Sequence, residues 1–171
     1  MSIEIRQYDP KDAESHYAAV EASIESLKKW FSWASPNYCL CDSIKFIKDQ
    51  PNRENMEKYD YAIFDADDSG FLGSCGLTKV RTYNGEQIAS MSYWRRQDSN
   101  KRHVMREAVI KVKEKAFKEL GIKRIEIDIA YCNKASIKVA ESVGAKPERD
   151  IPIRGGDGRI HEGVRYVIGA V

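Results

Sequence analysis

The chain has 171 residues, 42% hydrophobic and 32% charged, which suits one domain with a substantial core. Lys and Arg number 28 against 26 Asp and Glu, and a net charge of +2 gives no case for a polyanion partner without local clustering. No apolar run is long enough to span a membrane and the start is charged from Glu4, so a cytoplasmic protein without a secretory signal or membrane partner is expected.

Residues 3–8, IEIRQY, alternate as a strand does. DPKDAESHYAAVEASIESLKKWF then reads as a helix, with Asp9 or Asp12 as its cap. SPNYCLCDSIKFIKDQP gives a loop and a short helix ended by Pro51. YDYAIFDADDSGFLGSCGL reads as strand, acidic turn and strand, with Asp68-Ser69-Gly70 marking the hairpin. After a turn at Asn84-Gly85, GEQIASMSYWRR is another β-prone run. REAVIKVKEKAFKEL is a strongly amphipathic helix: Val109, Val112, Ala116 and Leu120 form its buried stripe, and Gly121 stops it. IKRIEIDIAY alternates as a strand, NKASIKVAESV is a short helix, GAKPERD a turn, and HEGVRYVIGAV the final strand. This order predicts an α/β (α+β) fold, a mixed sheet with helices packed on its faces, as one domain over residues 1–171.

Cys39, Cys41, Cys75 and Cys132 include one C-x-C but no C-x-x-C, and no histidine lies near enough in sequence to complete a zinc pattern. Reduced thiols and no metal are expected. Lys111, Lys113, Lys115 and Lys118 interleave with Glu107, Glu114 and Glu119, which reads as a solvated helix face and not a nucleic-acid stripe.

One stretch raises a sharper question. QDSNKRHVMREAV, residues 97–109, runs from loop to helix directly after an apolar strand, where a phosphate-binding loop would sit, yet it has no glycine. A Cβ keeps backbone N–H groups away from an anion, so such loops usually need glycine.

Taken together, these segments resemble the GNAT superfamily of acetyl-CoA-dependent N-acetyltransferases, and more closely its RimJ/RimL-like branch. The resemblance covers nearly the whole chain. IEIRQYDPKDAESHYAAVEASIESLKKWFSWA resembles that branch's opening strand and first helix, and YAIFDADDSGFLGSCGL its second and third strands. SYWRRQDSNKRHVMREAV aligns without gaps to the fourth strand, phosphate loop and third helix, and KRIEIDIAYCNKASIKVAESVGAKPE to the fifth strand and its Asn-x-x-Ser helix entry. The resemblance implies a mostly antiparallel sheet that splays between strands four and five after one of them bulges, with helices on both faces.

It also implies chemistry. Acetyl-CoA is the donor, its pantetheine bonding like an added strand to the freed main chain of Met91, Ser92, Tyr93 and Trp94, with one N–H facing the thioester oxygen. Sheet packing is the simpler role for the Tyr93 and Trp94 side chains. The pyrophosphate falls to Asn100, Lys101, Arg102, His103, Val104 and Met105 at the helix N-terminus. Asn100, His103 and Met105 depart from the family's Arg/Gln, Gly and small residue. Lys101, Arg102 and His103 supply charge-assisted contacts instead, while Met105 threatens to fill the pyrophosphate space. Ser136 is the implied acid that protonates the departing thiolate, and Asn133 contacts the pantetheine; the two also fit a plain helix N-cap, Asn133, with a neighbouring polar residue.

No base is identified. The fourth-strand position at which many relatives carry a carboxylate is Ser90, and His161, Glu162 and Asp128 are the nearest titratable alternatives. Trp30, Phe31, Trp33 and Tyr38 cluster on the first loop, where Trp30 and Trp33 are the candidates to wall the acceptor cleft. The implied acceptor is a primary amine, a protein N-terminus or small molecule, with a homodimer left open. Two rivals remain: a catalytically decayed GNAT-fold protein that binds a small ligand or protein partner, and a nucleic-acid binder using Arg95, Arg96, Lys101 and Arg102. Steep weakening of binding with salt would mark the second.

Overall fold

Alternation in the opening residues produces β1 (Ile3–Gln7), with Ile3 buried and Glu4 exposed. The structure is a computed structural model that describes residues 2–50 and 58–169. The long helix expected next is broken into a 3-10 turn (Pro10–Asp12), α1 (Ala13–Glu21) and α2 (Ile24–Leu27). Asp9 caps the 3-10 turn through a capping box, whereas buried Asp12 makes no cap bond to α1 and pairs with Arg6 at 2.7 Å. α3 spans Leu40–Lys48, and the stop expected at Pro51 lies outside the described residues. Cys39 and Cys41 are joined as a disulfide, a correction to the expectation of reduced thiols. The chain turns from extended at Cys39 into α3 at Leu40, which brings the two Cα atoms to 5.2 Å, within ordinary disulfide range.

β2 (Tyr59–Asp65) and β3 (Phe71–Tyr83) form the expected hairpin, and β4 (Glu86–Arg95) follows a turn in which Asn84 and Gly85 both take positive φ, the demand of a primed two-residue hairpin turn. α4 (Val104–Lys118) buries Val109, Val112 and Ala116 as read from the sequence, extended by Val104, Met105 and Ala108. Leu120 is partly buried just beyond it, and Gly121 turns the chain at φ +67°. β5 (Arg124–Ala130) and α5 (Lys134–Ser142) follow. The segment read as a turn is instead the start of a strand, β6 (Lys146–Arg154), which pairs with β7 (Ile160–Gly169). Pro147 and Pro152 disguised it; proline is tolerated because β6 is an edge strand with one neighbour.

The seven strands run β1-β2-β3-β4-β5-β7-β6, antiparallel except for β4 against β5. β2, β3 and β4 serve two cores by alternation. Tyr61, Ile63, Met91, Ile125, Ile127 and Ile129 meet α4 and α5 on one face, while Ala62, Phe64, Phe71 and Trp94 meet α1 and α2 on the other. The parallel ladder is short: only Ile88–Ser90 of β4 pair with Arg124–Glu126 of β5. Beyond it the strands separate. The neighbouring bulge lies on β3, where Lys79 and Val80 stand opposite Ala89, and not on either splaying strand as expected. Buried Glu126 closes the paired end, held by Arg81, Arg124 and Arg165 at 2.7 to 3.1 Å.

Candidate active site

A cleft of about 810 Å3 opens where β4 and β5 part. Met91 to Arg95 and Ile127 to Ala130 form its sides, α4's first turn its mouth, and Asn133 and Ser136 of the α5 entry its far wall. The direction of each main-chain group follows from two bonds. The Gln87 carbonyl accepts from Lys123 N–H on the β5 side, and Arg96 N–H donates to the Leu72 carbonyl on the β3 side. Alternation then aims the N–H and C=O of Met91, Tyr93 and Arg95 into the gap, while those of Ser92 and Trp94 serve β3. Of the four residues expected to offer free main chain, Met91 and Tyr93 do so. Ser92 and Trp94 do not, because an antiparallel strand points alternate residues at opposite neighbours.

At the mouth, His103 is the N-cap residue of α4 and takes φ +61°, ψ +8°. This is the left-handed conformation that makes glycine useful in such a loop, here adopted by an imidazole-bearing residue. The first intrahelical bond runs from Glu107 N–H to the His103 carbonyl, so the N–H groups of Val104, Met105 and Arg106 precede it and sit at the positive end of the helix dipole. His103, Val104, Met105 and Arg106 line the cleft. The Met105 side chain is buried in the main core, since the helical register turns it with Ala108 and Val112 toward the sheet, while the residue also borders the cleft.

The charge expected to compensate is partly committed elsewhere. Lys101 Nζ lies 2.5 Å from the buried Asp65 carboxylate, so it ties the loop to the β2–β3 turn. The Lys101 carbonyl also accepts from Arg95 Nη1 at 2.9 Å, and Gln97 N–H donates to buried Ser23 Oγ. Asn100, Lys101 and Arg102 are not on the cleft wall. Arg106, which the sequence reading passed over, is.

Asn133 is the N-cap residue of α5, its Oδ1 accepting from Ser136 N–H at 3.3 Å. Ser136 Oγ donates to Tyr93 Oη at 3.0 Å, and Tyr93 Oη donates to the Ser136 carbonyl at 3.1 Å. The Tyr93 side chain is therefore part of the site and not only sheet packing. Burial, offset in part by the Ser136 hydrogen bond, pushes its phenol up to about 12. The alternation that places Met91 and Tyr93 on the α5 side was the available signal for this role.

On the acceptor side, Ser26, Leu27, Trp30, Phe31 and Ile153 complete the wall. Trp33 does not line it; its ring packs against Phe31, Tyr38 and Trp94. Asp128 is the carboxylate on the cleft wall among the described residues, and both its oxygens accept from Arg165, at 2.7 and 2.8 Å. His161 stands behind Trp30, with ring centroids 5.5 Å apart, and exposed Glu162 is on the opposite side of β7.

Residues 2–146 match the profile of the Acetyltransferase (GNAT) domain. A probable N-acetyltransferase of Bacillus subtilis (strain 168), YjcK, is 26% identical over 149 residues, covering 86% of this chain and 82% of its own. Among solved structures, the microcin C7 self-immunity acetyltransferase MccE, in complex with acetyl-CoA and AMP, superposes with a TM-score of 0.87 at 19% identity, over 98% of this chain and 92% of that one. RimJ of Mycobacterium smegmatis, in complex with CoA-disulfide, gives 0.86 at 17% identity, over 98% and 82%. With the splayed β4–β5 pair and the helix N-terminus at its mouth, these likenesses agree: the chain belongs to the GNAT acetyltransferase family and has the fold of its RimJ/RimL-like members.

Proposed function

We propose that the protein is an acetyl-CoA-dependent N-acetyltransferase that moves acetyl directly to a primary amine, a protein N-terminus or a small molecule. The observation that carries this reading is the three-pair ladder between β4 and β5, which leaves the main chain of Met91 and Tyr93 unpaired beside the Ser136 hydroxyl. A pantetheine arm fits such a gap as an added strand, and the Val104–Arg106 N–H groups suit its pyrophosphate. A gap-facing N–H of Met91 or Tyr93 stabilises the oxyanion that develops as the amine attacks the thioester carbonyl. Ser136 donates a proton to the sulfur as the C–S bond breaks. With Asp128 held by Arg165, the amine's proton passes to water at the cleft entrance.

The test is release of the CoA thiol on incubating the protein with acetyl-CoA and a panel of peptide N-termini and small amines, with the acetylated product identified by mass spectrometry. Acetyl-CoA that binds in calorimetry but is never transferred to any amine would leave the decayed, ligand-binding reading in its place.

A further inference from the structure

The contact between Tyr93 and Ser136 carries a step beyond that reading and rests on it. The two residues are 43 apart in the chain, on β4 and on the first turn of α5, and both line the cleft. Each hydroxyl is engaged with the other residue: Ser136 Oγ–H with Tyr93 Oη, and Tyr93 Oη–H with the Ser136 carbonyl. We propose that the two form one proton donor, in which Ser136 meets the departing sulfur and Tyr93 resupplies Ser136.

Ser136 alone is a poor acid for this task. Loss of its proton leaves an alkoxide, a far stronger base than the thiolate it is meant to protonate. A phenol is much more acidic than an aliphatic alcohol, and remains so with its titration pushed up to about 12. The negative charge therefore rests better on Tyr93 than on Ser136.

The step balances. The amine nitrogen bonds to the acetyl carbon, and the C–S bond breaks with its electron pair on sulfur. Ser136 Oγ–H passes to the sulfur, and Tyr93 Oη–H passes to Ser136 Oγ. The amine's proton goes to solvent, and the phenolate regains one from solvent as CoA leaves. The Ser136 proton turns from Tyr93 Oη to the sulfur, and the Tyr93 proton swings from the Ser136 carbonyl to the Ser136 Oγ, each a rotation about a single C–O bond. Tyr93 thus acts through Ser136, as a positioning residue that also receives the charge.

Tyr93→Phe keeps the ring and deletes the hydroxyl. Its kcat should fall by about 10²-fold, the low end for general acid catalysis, with acetyl-CoA affinity within a few-fold of the parent. The Tyr93→Phe/Ser136→Ala double variant should fall no further than Ser136→Ala alone, because the pair acts as a unit. Incorporation of 3-fluorotyrosine at position 93, a more acidic phenol, should keep turnover and move the alkaline limb of the kcat–pH profile to lower pH. A folded Tyr93→Phe protein with the parent's kcat and pH profile would overturn the proposal alone, as would a loss confined to KM. No CoA release by the parent with any amine would overturn the transferase reading along with it.

Discussion

Lys101 of the loop before α4 holds the carboxylate of Asp65 at the end of β2, Nζ to Oδ2 at 2.5 Å, and so fastens the loop at the cleft mouth to the β2–β3 turn. The Asp67 N–H donates to the other carboxylate oxygen at 2.9 Å. The loop's shape is therefore set from below by an ion pair, and the lysine that appeared free for a phosphate is a structural tie.

That tie has a pH signature. The Lys101 hydrogen bond, then the Asp67 backbone, lower the Asp65 carboxyl below its ordinary 3.8. A depressed acid contributes stability fully above the unfolded value, about 3.9, and loses it as pH falls through the folded value. Lys101 is raised above 10.5 by the same contact, so its share is lost only in strong alkali. Asp65→Asn should flatten the fall of Tm below about pH 4. An acid limb as steep as the parent's would show that the pair does not hold the loop.

His103→Gly should tighten acetyl-CoA binding. Left-handed backbone costs a non-glycine residue about 1–2 kcal/mol, and glycine's greater unfolded freedom offsets roughly 0.5–1 of the relief, so stability should change little. Removing the imidazole bares the N–H groups that follow it, whose bonds to a charged group contribute about 1.5–3 kcal/mol each. Titration calorimetry should show a Kd lower by about tenfold, equivalent to ~1.4 kcal/mol. Met105 should be left alone, since truncating a buried methionine costs about 2–5 kcal/mol. Equal affinity in parent and variant would refute obstruction by His103.

Ser136→Ala should cut turnover by about 10²–10⁴-fold while acetyl-CoA affinity stays within a few-fold. The Asn133 cap accepts from the Ser136 main chain, which the substitution preserves, so the melting temperature should hardly move. Parent-like kcat in a folded variant would take Ser136 out of the mechanism.

Gly73 on β3 faces the main chain of β4. A Cβ there would lie 2.2 Å from the Trp94 carbonyl oxygen and 3.0 Å from Arg95 Cα, at φ +148°. Both obstacles are backbone, so Gly73→Ala must push β4 away at the cleft wall. Urea denaturation should register a loss of roughly 1–3 kcal/mol, the usual cost of overpacking. A neutral result would mean that β4 has more play there than its pairing suggests.

The sequence by itself determined the elements whose burial pattern is periodic. Val109, Val112 and Ala116 recur at helical spacing and became the inner face of α4, and the Asn84-Gly85 pair made its hairpin because its chemistry is local. The resemblance located Asn133 and Ser136 at the cleft. What a strand's partners permit was not local, and β6 was lost to its prolines because only its edge position makes them harmless. The width of the cleft was likewise hidden, since it depends on where β4 and β5 stop pairing, through residues 36 apart such as Ile88 and Arg124. The tertiary structure alone decided three roles: Lys101 ties to Asp65, Met105 turns into the core, and Tyr93 meets Ser136. Helical and strand spacing tell which way Met105 and Tyr93 face, but only the fold decides which distant side chain each of the three residues meets within hydrogen-bond or packing distance.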